Sequence, residues 1–158
     1  MQKGGNSVML CSLYLDDIAS ELEQHCWYQI GEMIQLNDDL FDIYQDCSDK
    51  IATLPNRMQD AYAFHKFFIE LFNNIKKEIS LLPYPHKAKQ SLNNSLTGIC
   101  SIGLVAIRRL QKIQMASPAL PDLKTLSRNK LIIDMEKITN RWSCVKCYAK
   151  LQTTKNEI

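Results

Sequence analysis

The sequence predicts an all-α protein, folded as an antiparallel helical bundle in a single domain over residues 1–158. Three observations lead there. Apolar residues recur at spacings of three and four over long windows. No stretch alternates polar and β-branched residues in the manner of a strand. Proline pairs, Pro83 with Pro85 and Pro118 with Pro121, divide the chain into segments of helical length. No repeat or low-complexity tract separates two domains, and 158 residues suffice for one sizeable core.

The first helix is expected over residues 6–25, where Val8, Leu10, Leu13, Leu15, Ile18 and Leu22 supply an apolar surface. The second covers about 27–47. Ser48-Asp49-Lys50 and Leu54-Pro55-Asn56 read as loop, because proline disfavours helix at the residue before it. A third helix is predicted over 58–81, built on Ala61, Phe64, Phe67, Phe68, Leu71, Phe72, Ile75 and Ile79. The fourth is predicted over 87–114. Gly98, Ser101 and Gly103 at its centre cost helix propensity and are expected to admit a neighbouring helix or ligand. A fifth helix, 122–151, repeats Leu131, Met135, Ile138, Trp142 and Val145 as an a/d-like seam, which predicts long antiparallel packing.

Composition is that of an ordinary soluble protein, 46% apolar and 23% charged, with a net charge of +2. The charge is unevenly placed. Residues 1–50 hold ten acids against two bases, and the remainder seven against seventeen. Those bases are scattered over several helices without interleaved aromatics, so no nucleic-acid partner is expected. Six cysteines are too few for a disulfide scaffold of this length. Cys144-Val-Lys-Cys147 lacks the second pair or histidine that would complete a zinc set. The longest apolar stretch, 96–107, is about 12 residues and is interrupted by Thr97, Gly98, Ser101 and Gly103, too short to span a bilayer. With no basic segment leading into an apolar run at the start, a reduced cytoplasmic setting is expected.

Residues 31–46, GEMIQLNDDLFDIYQD, carry the chemistry. Asp38, Asp42 and Asp46 stand at i, i+4 and i+8, one above another on a single helical face, with Asp39 beside the first. Stacked negative charges repel each other and call for a cation. Mg²⁺ takes a few carboxylate oxygens together with substrate phosphates. A metal–phosphate site is therefore expected, and a merely solvated acidic face is its alternative.

Gly31…Ile34-Gln35…Asp38-Asp39-Leu40-Phe41-Asp42 resembles the second aspartate-rich helix of the trans-isoprenyl diphosphate synthases, G-x-x-F-Q-x-x-D-D-x-x-D. Lys3-Gly4-Gly5-Asn6-Ser7 is similar to the lysine and small-residue segment of the preceding helix in that family. Asp46…Asp49-Lys50 with Ala52-Thr53-Leu54 loosely matches its downstream D-x-x-T/S-L-G-K neighbourhood. The match covers roughly residues 3–54, about a third of the chain. The acid spacing also resembles the metal-binding helix of the wider class I isoprenoid synthases, including terpene cyclases. The resemblance implies an all-α bundle around an apolar cavity and Mg²⁺-dependent ionisation of an allylic prenyl diphosphate, leading to chain elongation or cyclisation. The D-D-x-x-D form favours elongation.

Carried over residue by residue, the resemblance makes Asp38, Asp39 and Asp42 the catalytic acids, with Asp39 in direct or water-mediated contact. Asp38, Asp42 and Asp46 become the Mg²⁺ ligands, and Lys3, Gln35 and Lys50 the contacts to diphosphate. Asn37 is a lesser candidate for orienting a ligand. Phe41 and Tyr44 are expected in a pocket or in the core. His25, His65 and His86 are read as structural, and Arg108-Arg109 and Lys76-Lys77 as solvent-facing, with a diphosphate contact from one of them as the alternative. The family's other D-D-x-x-D and the basic pair following it are missing. The chain is therefore expected to be the C-terminal half of a longer enzyme, or to be completed by a partner subunit carrying the first motif, with a homodimer also open. On that reading it belongs to a prenyltransferase or terpene synthase and these 158 residues alone are inactive. The other class of answer is a non-catalytic accessory or interaction subunit that retains the fold.

Overall fold

The computed structural model describes residues 2–11 and 19–153. Among the described residues the protein is all-α, with eight α-helices and no strand. The helices are α1 (Gln2–Cys11), α2 (Glu21–Phe41), α3 (Ile43–Ser48), α4 (Leu54–Arg57), α5 (Ala61–Leu81), α6 (His86–Gln114), α7 (Arg128–Leu131) and α8 (Ile138–Thr153). A 3-10 turn, Leu123–Thr125, precedes α7.

Side-chain contacts between helix ends establish the antiparallel order. His25, early in α2, meets Glu78, late in α5, at 2.7 Å. Ala61 N–H at the start of α5 donates to Gln114 Oε1 at the end of α6, at 2.7 Å. Gln152 Nε2 near the end of α8 donates to Asn94 Oδ1 early in α6, at 3.1 Å. The core between α2, α5 and α6 is built from Met33, Leu36, Phe68, Phe72, Ile75, Ala106 and Ile107, all essentially buried. Burying side chains of this size contributes roughly 1.5–3 kcal/mol each before the cost of ordering the chain.

The predicted helix over 6–25 is two helices. Ser20 stops continuity because it caps α2: its hydroxyl accepts from Glu23 N–H at 3.3 Å while Glu23 Oε2 accepts from Ser20 N–H at 2.8 Å. This reciprocal box satisfies two orphan donors of the helix start. Leu13, Leu15 and Ile18 lie outside the described residues. The third helix starts at Ala61 rather than 58, since the Asp60 side chain accepts from Tyr62 N–H at 2.8 Å and caps it. Leu54-Pro55-Asn56 is a short helix instead of loop, with Pro55 in its first turn, where a missing N–H does no harm.

The largest departure is the fifth helix. Asp122 caps the 3-10 turn through Lys124 N–H at 3.1 Å, and Asp134 Oδ1 takes Glu136 N–H at 2.9 Å. Such local bonds offer the backbone an alternative to helix, and they leave a 3-10 turn, the four-residue α7 and the 16-residue α8 where one helix was expected. The a/d seam is lost with it. Leu131 is buried, but Ile138, Trp142 and Val145 are 81%, 59% and 53% exposed.

Candidate functional site

α1, α2 and α6 wall an apolar cleft of about 680 Å³. Val8 comes from α1, Ile34 and Phe41 from α2, and Ile99 and Ile102 from α6, with Gln35, Asn37 and Asp38 as the polar margin. Glycine makes this geometry possible. A Cβ on Gly4 would lie 2.5 Å from the Gly31 carbonyl oxygen and from Gln35 Cβ, so α1 rests backbone to backbone on α2. A Cβ on Gly103 would meet Phe68 Cζ at 2.5 Å and Asn37 Oδ1 at 2.6 Å, which locks α6 against α5 and α2. Gly98 faces open space, so close approach explains Gly103 and not Gly98. Ile34 and Ile102 remain 43% and 38% exposed, leaving apolar wall uncovered.

The acids stand beside this cleft. The backbone nearly breaks at Asp42, between α2 and α3, instead of running as one helix over 27–47. The turn-to-turn hydrogen bonds nevertheless continue: Asp42 N–H donates to the Asp38 carbonyl at 2.9 Å and Asp46 N–H to the Asp42 carbonyl at 2.8 Å. Asp38, Asp42 and Asp46 therefore keep the common face expected of them. Asp38 and Asp42 are exposed, and Asp38 lines the cleft. Asp46 is half-buried, and its Oδ2 is a buried oxygen with no hydrogen-bond partner. Burial pushes the Asp46 carboxyl above the usual carboxylate range, and the negative charge of Asp39, then those of Asp42 and Asp38, push the same way, while the neighbouring Thr53 hydroxyl pulls against them.

Asp39 differs from the other three. It is buried and accepts from Gln35 Nε2 at 2.7 Å, so its carboxylate turns inward rather than joining the exposed acids. That gives Asp39 a different environment from exposed Asp38 and Asp42, and it gives the Gln35 amide a protein partner as well as a place on the cleft wall. Lys3 and Lys50 are exposed and neither lines the cleft. Lys50 has φ 59°, and Ile51 N–H donates to the Asp46 carbonyl at 2.9 Å, so the residue closes α3 in the left-handed cap that favours glycine. Phe41 lines the cleft, whereas Tyr44 packs against the core.

Among the described residues no three His, Cys, Asp or Glu side chains converge as a metal cage. The expected Asp38, Asp42, Asp46 trio is thus a ladder and not a single three-ligand centre. Mg²⁺ does not require such a cage, because it binds through one or two carboxylates plus substrate phosphates. Hard oxygens a turn apart, with the unpaired Asp46 Oδ2 next in line, fit that mode. Ile34, Ile99 and Ile102 were not assigned to a site from sequence. Their signal was present, since Ile99 and Ile102 sit one turn apart between Gly98 and Gly103 in the interrupted apolar run. Compared with protein-family models, with curated proteins and with solved structures, the chain matches none.

Proposed function

We propose that this chain is a class I isoprenoid synthase-like domain that binds an allylic prenyl diphosphate with Mg²⁺. The observation carrying the reading is the cleft itself: an apolar trough whose rim holds Asp38, the first rung of a carboxylate ladder. An amphiphile with a charged head and a hydrocarbon tail needs that pairing of surfaces. Asp38 and Asp42 would hold Mg²⁺, with Asp46 next in line. Mg²⁺, when bound, would neutralise charge gathering on the departing diphosphate.

The chain's own residues do the rest. Gln35 orients Asp39 and leaves the neighbouring acids free to face the head group. Val8, Ile34, Phe41, Ile99 and Ile102 exclude water along the tail, which protects a reactive hydrocarbon cation from quenching. Lys3, next to Gly4 on the helix that forms one wall, would supply a positive charge to the head group. The ladder forms one side of a complete synthase centre. The opposing acidic side belongs to another stretch of the protein or to a partner subunit, including a second copy of this chain.

The test is titration of a non-ionisable prenyl diphosphate analogue into the folded protein, with and without Mg²⁺. Mg²⁺-dependent binding that the Asp38→Ala/Asp42→Ala double variant abolishes is expected. A folded protein that takes up no analogue, alone or with its completing partner, overturns the reading. A second reading, a non-catalytic interaction subunit with the same fold, draws on one observation: the exposed Ile138, Trp142 and Val145 stripe of α8. It predicts partner association without metal-dependent diphosphate binding.

A further inference from the structure

A second cavity of about 390 Å³ lies between α6, α7 and α8, away from the acidic ladder. Its chemistry is the reverse of the first. Arg108, Arg109 and Lys112 enter it from α6 and Lys137 from the turn before α8, against a single carboxylate, Asp134. Asp134 is already engaged, since its Oδ1 accepts from Glu136 N–H at 2.9 Å. None of the four cations is in an ion pair among the described residues. Four like charges around one hollow repel each other; Asp134 offsets one of them and the Arg108 side chain also bonds the Cys147 sulfur, so the recess keeps a positive excess.

Two further features make this a recess rather than a chance patch of surface charge. Arg109 is held in place: its Nε donates to the Lys130 carbonyl and its NH2 nitrogen to the Asn129 carbonyl, both at 3.0 Å. Those bonds fix the guanidinium plane as part of the wall. The first turn of the 16-residue α8 opens onto the same hollow through Thr139 and Asn140. The Asn140 and Arg141 amides are already bonded to the Lys137 carbonyl, at 3.0 and 3.2 Å, so what this helix start offers an anion is the positive end of its dipole.

We infer that the cavity between α6, α7 and α8 is a binding site for a multiply charged phosphate group, taken up without a divalent metal by Arg108, Arg109, Lys112 and Lys137. The volume is ample for a diphosphate head group or two phosphates. Guanidinium and ammonium donors together match the oxygens of such an anion. The site is independent of the acidic ladder and stands whether or not the prenyl diphosphate reading does. Free diphosphate and the phosphomonoester head group of an anionic lipid share this chemistry.

The experiment uses the full chain in EDTA. Inorganic diphosphate is titrated by calorimetry, and co-sedimentation is measured with phosphatidylcholine vesicles with and without phosphatidic acid. The variants are Lys112→Gln/Lys137→Gln, both at exposed positions, and Asp38→Asn/Asp42→Asn. Metal-free binding of diphosphate, weakened about tenfold or more by the lysine pair and unchanged by the aspartate pair, supports the site with a soluble phosphate as ligand. Binding confined to phosphatidic acid vesicles, with the same loss in the lysine pair, supports it with a lipid head group as ligand. Binding of neither probe by the folded protein, or binding indifferent to the lysine pair, overturns it. Loss of the aspartate-ladder binding described above would leave this result untouched, so the two failures are distinguishable.

Discussion

Gln35 Nε2 donates to Asp39 Oδ1 at 2.7 Å across one turn of α2, and this bond holds a buried carboxylate, whereas Asp38 and Asp42 are exposed. Removing the donor leaves a buried carboxylate oxygen unsatisfied. Gln35→Leu should therefore lower stability by about 1–3 kcal/mol, read as a shift in the urea midpoint at unchanged slope. Asp39→Asn keeps an acceptor for the amide and should cost less. Equal losses in the two variants would show that the bond is not what matters there.

The Gly4–Gly31 contact sets the distance between α1 and α2. A methyl group on Gly31 would run into the Gly4 backbone, so Gly31→Ala should destabilise by about 1–3 kcal/mol through overpacking. Gly98→Ala, with open space around it, should stabilise by about 1 kcal/mol through helix propensity. Thermal melts of the two variants side by side test both. A neutral Gly31→Ala would mean α1 does not seat on α2 this closely.

Lys50 occupies a left-handed position at the end of α3, with φ 59°. Side chains with a Cβ cost roughly 1–2 kcal/mol there. Lys50→Gly should raise the urea midpoint, while Lys50→Val should lower it. If Lys50 also serves diphosphate, as the sequence resemblance implies, the glycine variant gains stability and loses affinity together.

Tyr84, in the turn between α5 and α6, hydrogen-bonds Glu23 at the start of α2. That bond, followed by those from Ser20, holds the Glu23 carboxyl below the ordinary carboxylate value. A carboxyl depressed on folding stabilises the native state above its unfolded pKa, and the contribution disappears as pH falls through the depressed folded value. Tyr84→Phe should therefore melt earlier than the parent at neutral pH, with the gap closing in acid. A gap independent of pH would point to lost packing instead.

Burial pushes the Cys26 thiol to about 11 and Cys100 to about 12, and raises Cys147 as well. Thiolate is the reactive form, so a disulfide reagent at pH 8 should modify exposed Cys11 at once and these three only on unfolding. Rapid labelling of Cys147 in the native protein would reopen a redox role for Cys144-Val-Lys-Cys147.

The legible parts of the fold were those governed by one strong signal. α5 and α6 follow from dense apolar stripes bounded by Pro83 and Pro85, and the common face of Asp38, Asp42 and Asp46 follows from spacing alone. The starts of helices were misjudged where a capping side chain outweighed periodicity, as at Ser20 and Asp60. The region after Gln114 misled for a deeper reason. Leu131 to Val145 has seam spacing, but Asp122 and Asp134 bond locally and break the backbone before the pattern can act. For the candidate site, sequence order indicated the acids but not the wall opposite. Ile99 and Ile102 join the cleft only because Gly103 lets α6 close on Phe68 and Asn37. Nor could spacing separate Asp39 from Asp38, since the inward turn depends on Gln35.

The near-break at Asp42 divides the carboxylates unequally. Asp38 rides on a 21-residue helix anchored in the core, whereas Asp46 belongs to a six-residue piece with its own cap at Lys50. Tilting that piece would alter the gap between Asp42 and Asp46 and leave the gap between Asp38 and Asp42 as it is. The spacing of Asp38 and Asp42 is thus set by α2 alone, whereas that of Asp42 and Asp46 is set by the junction between two helices.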